Sequence, residues 1–331
     1  MPRAVLVGGT GMIGRAAARA LASDGWEVVA VSRSGTLPEG LEELGVQSVV
    51  ADRADDAQLR AAIGPGADVL LDTVAYGREH GEQLNALAGV VGSLIVISSA
   101  SVYADDEGRA LDGEGDPPSM PVPILETQRT AEPGDATYST RKAELEQMLL
   151  AGPLPATLLR ACAIHGPGAK LPREIFFVKR AVDGRRRVAL AWNGESRFHT
   201  TSVANLAELI RLAAAKPGDR ALNAGDPDPP TTLGICRAIG EALGHEFEPV
   251  LLPGDEYDNP WGAPEPKPFV VSMAAAEQEL GYRPVITYPE AVRETCAWLV
   301  AELENGRSWD GTYLEGMLDY AAEDEALASQ S

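Results

Sequence analysis

The sequence predicts a doubly wound α/β fold, a Rossmann-type parallel sheet with a smaller C-terminal α+β lobe. Three observations carry this expectation. Strand and helix signals alternate through the first half of the chain, the strand-like runs are continuously apolar, and the first of them ends in a glycine cluster. Continuous apolar runs suit strands covered by helices on both faces. Alternating β and α signals suit parallel pairing through crossover helices. In order, residues 4–7, 26–31, 47–51, 69–73, 93–98 and 155–160 read as six strands. Helical stretches fall at 15–22, 55–62, 79–91 and 135–150, the last with Asp135 as its N-cap. Residues 105–134 are rich in Asp, Glu, Gly and Pro without periodicity, a long loop of the kind that often carries function. Beyond residue 165 the spacing is irregular, with short helices at 173–183, 203–215, 231–243 and 272–280 and a longer amphipathic one at 289–303. The expected organisation is a dinucleotide-binding domain over 1–164, a mainly substrate-binding lobe over 165–303 with segments returning to the core, and an acidic tail over 304–331 forming one exposed helix.

Composition narrows the function. The chain has 331 residues, 28 Lys+Arg against 49 Asp+Glu, and a net charge of −21. A chain this acidic repels nucleic acid and anionic membranes, so neither is expected as a partner. Two basic clusters, Arg185 to Arg187 and Arg141-Lys142, sit amid acids and read as solvated faces. Cys162, Cys236 and Cys296 are far apart and the four histidines are scattered, so neither disulfides nor a metal site are expected. The chain enters its first strand directly after Met-Pro-Arg and has no long apolar run, which predicts a cytoplasmic protein.

The glycine cluster is Gly8, Gly11 and Gly14 in Val7-Gly8-Gly9-Thr10-Gly11-Met12-Ile13-Gly14. At a strand–helix junction this spacing permits a tight turn, close approach of a pyrophosphate, and packing of the helix on the strand. Thr10, Met12 and Ile13 then lie at the helix N-terminus facing the phosphates. The second strand ends in Ser32-Arg33, where an acidic residue would bind the ribose hydroxyls of NAD. Serine and arginine suit a 2′-phosphate instead, which favours NADP over NAD. Asp52 and Arg53 follow the third strand near the adenine position, and Thr73, Val74 and Ala75 follow the fourth along the dinucleotide path.

Tyr138 and Lys142 stand one helical turn apart in Tyr-Ser-Thr-Arg-Lys. A lysine so placed is expected to lower the phenol pKa and to hold the nicotinamide ribose, making Tyr138 a general acid or base. The fifth strand ends at Ser98-Ser99-Ala100-Ser101, and a serine there lies at the ligand crevice.

With these residues in hand, the chain resembles an extended short-chain dehydrogenase/reductase of the NAD-dependent epimerase/dehydratase family. The matching stretches are VLVGGTGMIG (5–14), VISSASVYAD (96–105), YSTRK (138–142), LLRACAIHGPG (158–168), FHTTSVANLAELI (198–210) and GYRPVITYPEAVRETCAWL (281–299). The resemblance implies Ser99 as the catalytic serine, Tyr138 as acid/base and Lys142 as the ribose-binding lysine. It also implies pairing through the helices flanking the fourth and fifth strands, hence a homodimer. The substrate half departs from the family. Its R-P-x-N-x-Y-G-P becomes Arg160-Ala161-Cys162-Ala163-Ile164-His165-Gly166-Pro167, so Ala163 replaces an asparagine used near sugar-nucleotide phosphates and adjoins the cofactor path. Its H-V-D-D-V-A becomes His199-Thr200-Thr201-Ser202-Val203-Ala204, without the acids. Ala100 and Ser101 stand where dehydratases carry an acidic pair.

Substrate-side candidates each have a plainer reading. Tyr76, Ser101 and Tyr103 lie at strand ends and either line the pocket or pack. His165 either touches substrate or hydrogen-bonds backbone. Trp192 and Arg197 bracket a turn, where Arg197 either grips an anionic group or makes an ordinary ion pair. Trp261 either covers the pocket from its loop or is a packing anchor, the second reading being favoured, and Trp298 reads as core. Three functions are open. One is a reversible oxidoreductase moving a hydride between nicotinamide C4 and a secondary alcohol or ketone carbon. The second is an epimerase that retains NAD and transiently oxidises a sugar ring carbon. The third is a non-catalytic dinucleotide sensor. Ser32-Arg33 and Ala163 favour the first.

Overall fold

The structure is a computed structural model that describes residues 1–255, 257, 259–261 and 268–328. Seven parallel strands form its central sheet: β1 (Arg3–Val7), β2 (Glu27–Ser32), β3 (Gln47–Val50), β4 (Ala67–Asp72), β5 (Val91–Ser99), β6 (Ala156–Ala161) and β10 (Arg220–Ala224). Their order in space is β3-β2-β1-β4-β5-β6-β10. The chain therefore winds outward in one direction from β1 and in the other from β4, which leaves a crevice at the carboxyl ends between them. Register aligns Val7 with Asp72, Asp72 with Val96, and Ser99 with Ala161. Every strand end singled out in the sequence thus opens on one side of the sheet.

Helices cover both faces, as the continuous apolar runs require. α1 (Met12–Ser23), α6 (Val203–Ala215) and α8 (Ala274–Leu280) pack on one face. α2 (Asp56–Ile63), α3 (Arg78–Asn85) and α4 (Tyr138–Leu150) pack on the other through Leu59, Ile63, Leu84, Leu145 and Leu149. Two boundaries differ from the sequence expectation. The 79–91 stretch stops being helical at Asn85, because the chain must turn through Gly89 and enter β5 at Val91. The 135–150 helix starts at Tyr138, and its cap is Thr137 rather than Asp135. Thr137 and Thr140 cap each other reciprocally, which satisfies two N–H groups at once.

The smaller lobe contains β7 (Ala163–His165) paired with β9 (Thr200–Ser202), β8 (Arg187–Leu190) paired with β11 (Glu248–Leu251), α5 (Ile175–Val182), α7 (Thr232–Leu243), α9 (Tyr288–Glu304) and α10 (Tyr320–Ala328). Its core joins α5, α7 and α9 around Phe176, Phe177, Ile239 and Leu299. Trp261 is buried there and stacks on Phe177 at 5.5 Å, as a packing anchor; residues 258 and 262–264 of its loop lie outside the described residues. Trp298 is only half-buried, at the rim of this core with Arg307 over its ring.

The tail departs most from expectation. Trp309, Leu314, Ala326 and Leu327 are buried in the lobe's core, so the segment folds back instead of standing free. Glu323 on α10 is fully buried and accepts from Arg180 Nε at 3.0 Å, Arg185 at 3.2 Å and the Ala189 N–H at 3.2 Å. A helix that looks acidic along its length therefore hides the one carboxylate that a buried arginine needs. It also recruits Arg185, so the Arg185 to Arg187 cluster is not simply a solvated face. Among the described residues no helix is long and apolar enough to cross a membrane.

Candidate active site

The glycine turn closes β1 onto α1. The N–H groups of Gly8 and Gly9 donate to Val31 O at 3.0 and 3.2 Å, and Gly11 donates to Gly8 O at 3.0 Å. Gly8 has φ +76°, and a Cβ there would sit 2.3 Å from Thr73 Oγ1; a Cβ on Gly14 would sit 2.2 Å from Gly8 O. Only glycine fits either position. Gly11 caps α1 without a side-chain hydrogen bond, and the N–H groups of Met12, Ile13 and Gly14 have no acceptor among the described residues. Three orphan donors at a helix N-terminus, on a turn stripped of side chains, fit a dinucleotide pyrophosphate.

The rest of the cofactor path is mixed. Arg33 is exposed and makes no ion pair or hydrogen bond among the described residues, so its guanidinium is available to a 2′-phosphate. The Ser32 hydroxyl accepts from the Gly35 N–H at 3.0 Å and shapes the turn that presents Arg33. Asp52 is exposed and accepts from the Ala54 N–H at 3.0 Å. Arg53, expected along the cofactor, is instead committed to Asp72 at 2.8 Å and Gln83 at 2.6 Å. Asp72, buried at the end of β4, also accepts from the N–H groups of Val74 and Ala75, both at 2.8 Å. This holds Thr73 and Val74 against Gly8. Ala163 begins β7, and its N–H donates to His199 O at 2.9 Å.

The candidate catalytic residues meet where β5 ends and α4 begins. The Ser99 hydroxyl accepts from the Ser101 N–H at 3.2 Å and lies close enough to the Tyr138 phenol to lower its pKa. The long loop holds the start of α4: Asp112 accepts from the Ser139 N–H at 2.9 Å and from the Thr137 hydroxyl at 3.2 Å. Lys142 is 6% exposed and its ammonium donates to Ala75 O at 2.7 Å and Ile97 O at 2.9 Å, standing 5.7 Å from the centre of the Tyr138 ring. Burial pushes the lysine down to about 8, against the pull of Asp72 and Glu146. The phenol does not behave as the sequence suggests. Burial raises the Tyr138 pKa, the nearby Ser99 hydroxyl offsets part of the rise, and the charge of Lys142 is spent on two backbone carbonyls. Tyr138 therefore stands as a protonated acid at neutral pH. Tyr76 flanks it with ring centres 5.5 Å apart, and Arg141 lies over the Tyr76 ring at 5.6 Å. The hydroxyl of Ser101 is buried without a hydrogen-bond partner among the described residues at the same strand end, as is that of Ser98.

Two substrate candidates turn out to be interior. Tyr103 is fully buried, its hydroxyl donating to Asn223 Oδ1 at 2.6 Å and accepting from Arg160 at 3.1 Å, so it packs rather than lines the crevice. His165 is equally buried and lies 2.9 Å from Asp226 Oδ2. Asp226 also accepts from the Thr200 hydroxyl at 2.8 Å, the Ser202 N–H at 2.7 Å and Asn205 Nδ2 at 2.8 Å. These contacts hold its pKa well below the carboxylate range, and the pair raises that of His165 against the cost of burial. The acid missing from His199 to Ala204 is thus supplied from the end of β10. His199 Nδ1 accepts from the Val271 N–H at 3.1 Å, so Nε2 carries the proton given to Asp226 O at 2.7 Å; this histidine stays neutral. Trp192 is half-buried at φ 53°, in a turn tied by its N–H to Gly254 O at 2.9 Å. Arg197 is exposed and donates to Pro229 O at 2.5 Å, with no carboxylate partner among the described residues.

Comparisons with known proteins give the family and the fold. Residues 4–225 match the NAD dependent epimerase/dehydratase family. A 2-alkyl-3-oxoalkanoate reductase from Stenotrophomonas maltophilia is 30% identical over 236 residues, covering 65% of this chain and 66% of that protein's length. Among solved structures, a UDP-N-acetylglucosamine 4-epimerase from Bacillus cereus superposes with a TM-score of 0.70 at 16% identity, covering 91% of this chain and 100% of that one. A UDP-glucose 4-epimerase from Bifidobacterium longum, solved with NAD+ and UDP, gives 0.68 at 19% identity over 92% and 99% of the two chains. At these identities the structural likenesses show the fold.

Proposed function

The chain belongs to the NAD dependent epimerase/dehydratase family and is a nicotinamide-dependent enzyme, and from that premise we propose that it is an exchanging, NADP(H)-favouring oxidoreductase that reduces a ketone to a secondary alcohol. The observation that carries the reading is Arg33, exposed at the end of β2 and without an ion pair or hydrogen bond among the described residues, which suits the 2′-phosphate of an exchanging NADP(H); Tyr138 stands beside Ser99 at the mouth of the crevice as the proton donor. A ketone being reduced needs a proton at its oxygen, and an acid with a raised pKa keeps that proton until it is needed. When bound, the nicotinamide supplies the hydride for the carbonyl carbon.

The protein's own residues do the rest. Met12, Ile13 and Gly14 hold the pyrophosphate through their N–H groups, and Arg33 takes the 2′-phosphate. Lys142, charged through pH 7, holds the ribose. Ser99 donates to the substrate oxygen and fixes it beside Tyr138. Tyr138 then gives its proton to that oxygen as the C=O π bond opens, and it recovers a proton from water. The reductase relative supports this direction, and by its name acts on a 3-oxo acid with an alkyl branch; a ketone of that kind is the first substrate to try. By the family analogy a homodimer would pair through α3 and α4.

The test is mass spectrometry of nucleotides released on denaturation, with NADPH and NADH titrations of wild type and Arg33→Ala. The expected result is no stoichiometric NAD+, tighter NADPH than NADH, and loss of roughly 10- to 100-fold in NADPH affinity alone on removing Arg33. Stoichiometric retained NAD+ would replace this reading with an epimerase.

A further inference from the structure

Beyond Ser99 the crevice meets a small apolar cluster. Ala100, Tyr103, Ile124, Phe269 and Val271 form its buried part, the Tyr103 hydroxyl being taken up by Asn223 and Arg160, and Met120, Cys162, Phe198 and Met273 lie half-buried against it. Register places it: Ser99 aligns with Ala161, so Cys162 continues β6 past the carboxyl end of the sheet, next to the catalytic serine's strand. Phe198 and Phe269 stack there at 5.1 Å with their planes 12° apart.

Arg173 lies on this wall. Its guanidinium carbon stands 4.5 Å from the centre of the Phe198 ring. The side chain is half-buried, yet among the described residues the guanidinium makes no hydrogen bond and no ion pair. Arg33, Arg187 and Arg237 are equally without such a partner among the described residues, but those three are exposed and Arg173 is not. The neighbouring Glu174 is buried near His165 and Tyr288; the Arg173 charge reaches its carboxyl, but the two make no ion pair. A planar cation laid on an aromatic ring has its position fixed while its N–H edge stays open, the geometry that takes a carboxylate through two parallel hydrogen bonds. Leaving such a group half-desolvated and unpaired is unfavourable, so an anion from outside gains the difference.

The rest of the wall decides between anions. Methionine, cysteine and phenylalanine present few donors for sugar hydroxyls or a nucleobase, and Ala163 presents none. We propose that Arg173, laid on Phe198, is a specificity-determining anchor for the carboxylate of a ketone whose apolar body packs on Met120 and Cys162. This deepens the reading of the protein as a ketone reductase and rests on it for the word ketone, while the anion site rests on Arg173 itself.

The test pairs turnover with binding. With NADPH, kcat/KM is measured for a 2-alkyl-3-oxo acid and for its methyl ester, in wild type, Arg173→Gln and Arg173→Lys. Binding of laurate, which cannot be reduced, and of UDP is measured by titration calorimetry on the protein loaded with NADP+. The expected result is an acid-to-ester ratio that falls roughly 10- to 100-fold in Arg173→Gln, mainly through KM, with partial recovery in Arg173→Lys. Laurate affinity falls by a similar factor, and matched melting curves show the variants folded. An unchanged ratio, laurate binding indifferent to Arg173, or UDP binding that depends on Arg173 where laurate binding does not, overturns the proposal. Turnover of neutral ketones with laurate indifferent to Arg173 sinks the anchor and leaves the reductase. Arg173-dependent laurate binding with no ketone turned over sinks the reductase and keeps the anchor.

Discussion

Replacing Glu323 with Gln asks whether the last helix belongs to the lobe's core. The carboxylate is fully buried and receives Arg180, Arg185 and the Ala189 N–H. The amide keeps the volume and one acceptor oxygen, but turns an NH2 toward guanidinium donors and removes the only carboxylate that pairs with Arg180 among the described residues. Breaking one side of a buried pair costs about 3–5 kcal/mol. Arg180 keeps hydrogen bonds to Phe176 O and the Tyr257 hydroxyl, each 2.8 Å, and the Phe176 ring at 3.7 Å. The lower end therefore applies: about 3 kcal/mol, or roughly 150-fold in the unfolding equilibrium. Urea melts followed by tryptophan fluorescence read this, since Trp309 and Trp261 share that core. Arg186→Ala is the control; its partners Glu246 and Glu248 are exposed, and its loss should cost under about 0.5 kcal/mol. The double replacement Arg180→Met, Glu323→Leu should recover most of the loss. A Glu323→Gln variant as stable as the control would refute the buried pair.

The other predictions concern the site and its neighbour. Tyr138→Phe should lower kcat by about 100-fold or more while NADPH affinity by fluorescence titration stays near wild type, because only the proton donor is lost. Because Lys142 titrates near 8, ahead of Tyr138, kcat/KM for reduction should bend downward near pH 8, and Lys142→Arg should move the bend upward. The pair His165–Asp226 sets a pH window for stability. The raised histidine contributes fully below its unfolded value of about 6.5 and loses that contribution as pH rises through its folded value. The lowered aspartate contributes above about 3.9 and fails as pH falls through its folded value. The Tm difference between wild type and His165→Gln should therefore be largest between about pH 4 and 6.5 and shrink above it; a difference flat from pH 4 to 9 would remove the pair from the account.

Much of this site was legible because it rests on local rules. Gly8 and Gly14 are needed where no Cβ fits, and Tyr138 and Lys142 share a helix face by spacing alone. Contacts over long sequence separations were not legible. Nothing near Glu323 announces Arg180, 143 residues earlier, and nothing near Asp226 announces His165. Tyr103 sits in a stretch that matches the family, yet only the fold reveals Asn223 and Arg160 waiting for its hydroxyl. The direction of the Tyr138 shift depended on where the Lys142 ammonium points, which spacing does not set. Arg173 was missed because an arginine in Leu-Pro-Arg-Glu-Ile looks ordinary until the fold lays it half-buried on Phe198 with no hydrogen-bonded or charged partner among the described residues.

The central claim is hydride delivery to a ketone from exchanging NADPH. It is tested most directly by incubating the protein with a 2-alkyl-3-oxo acid and each C4-deuterated epimer of NADPH in turn. The account predicts one deuterium at the new carbinol carbon from one epimer and none from the other, with one NADP+ released per alcohol formed. No deuterium in product from either epimer, with NAD+ remaining bound through turnover of a nucleotide sugar, would contradict it.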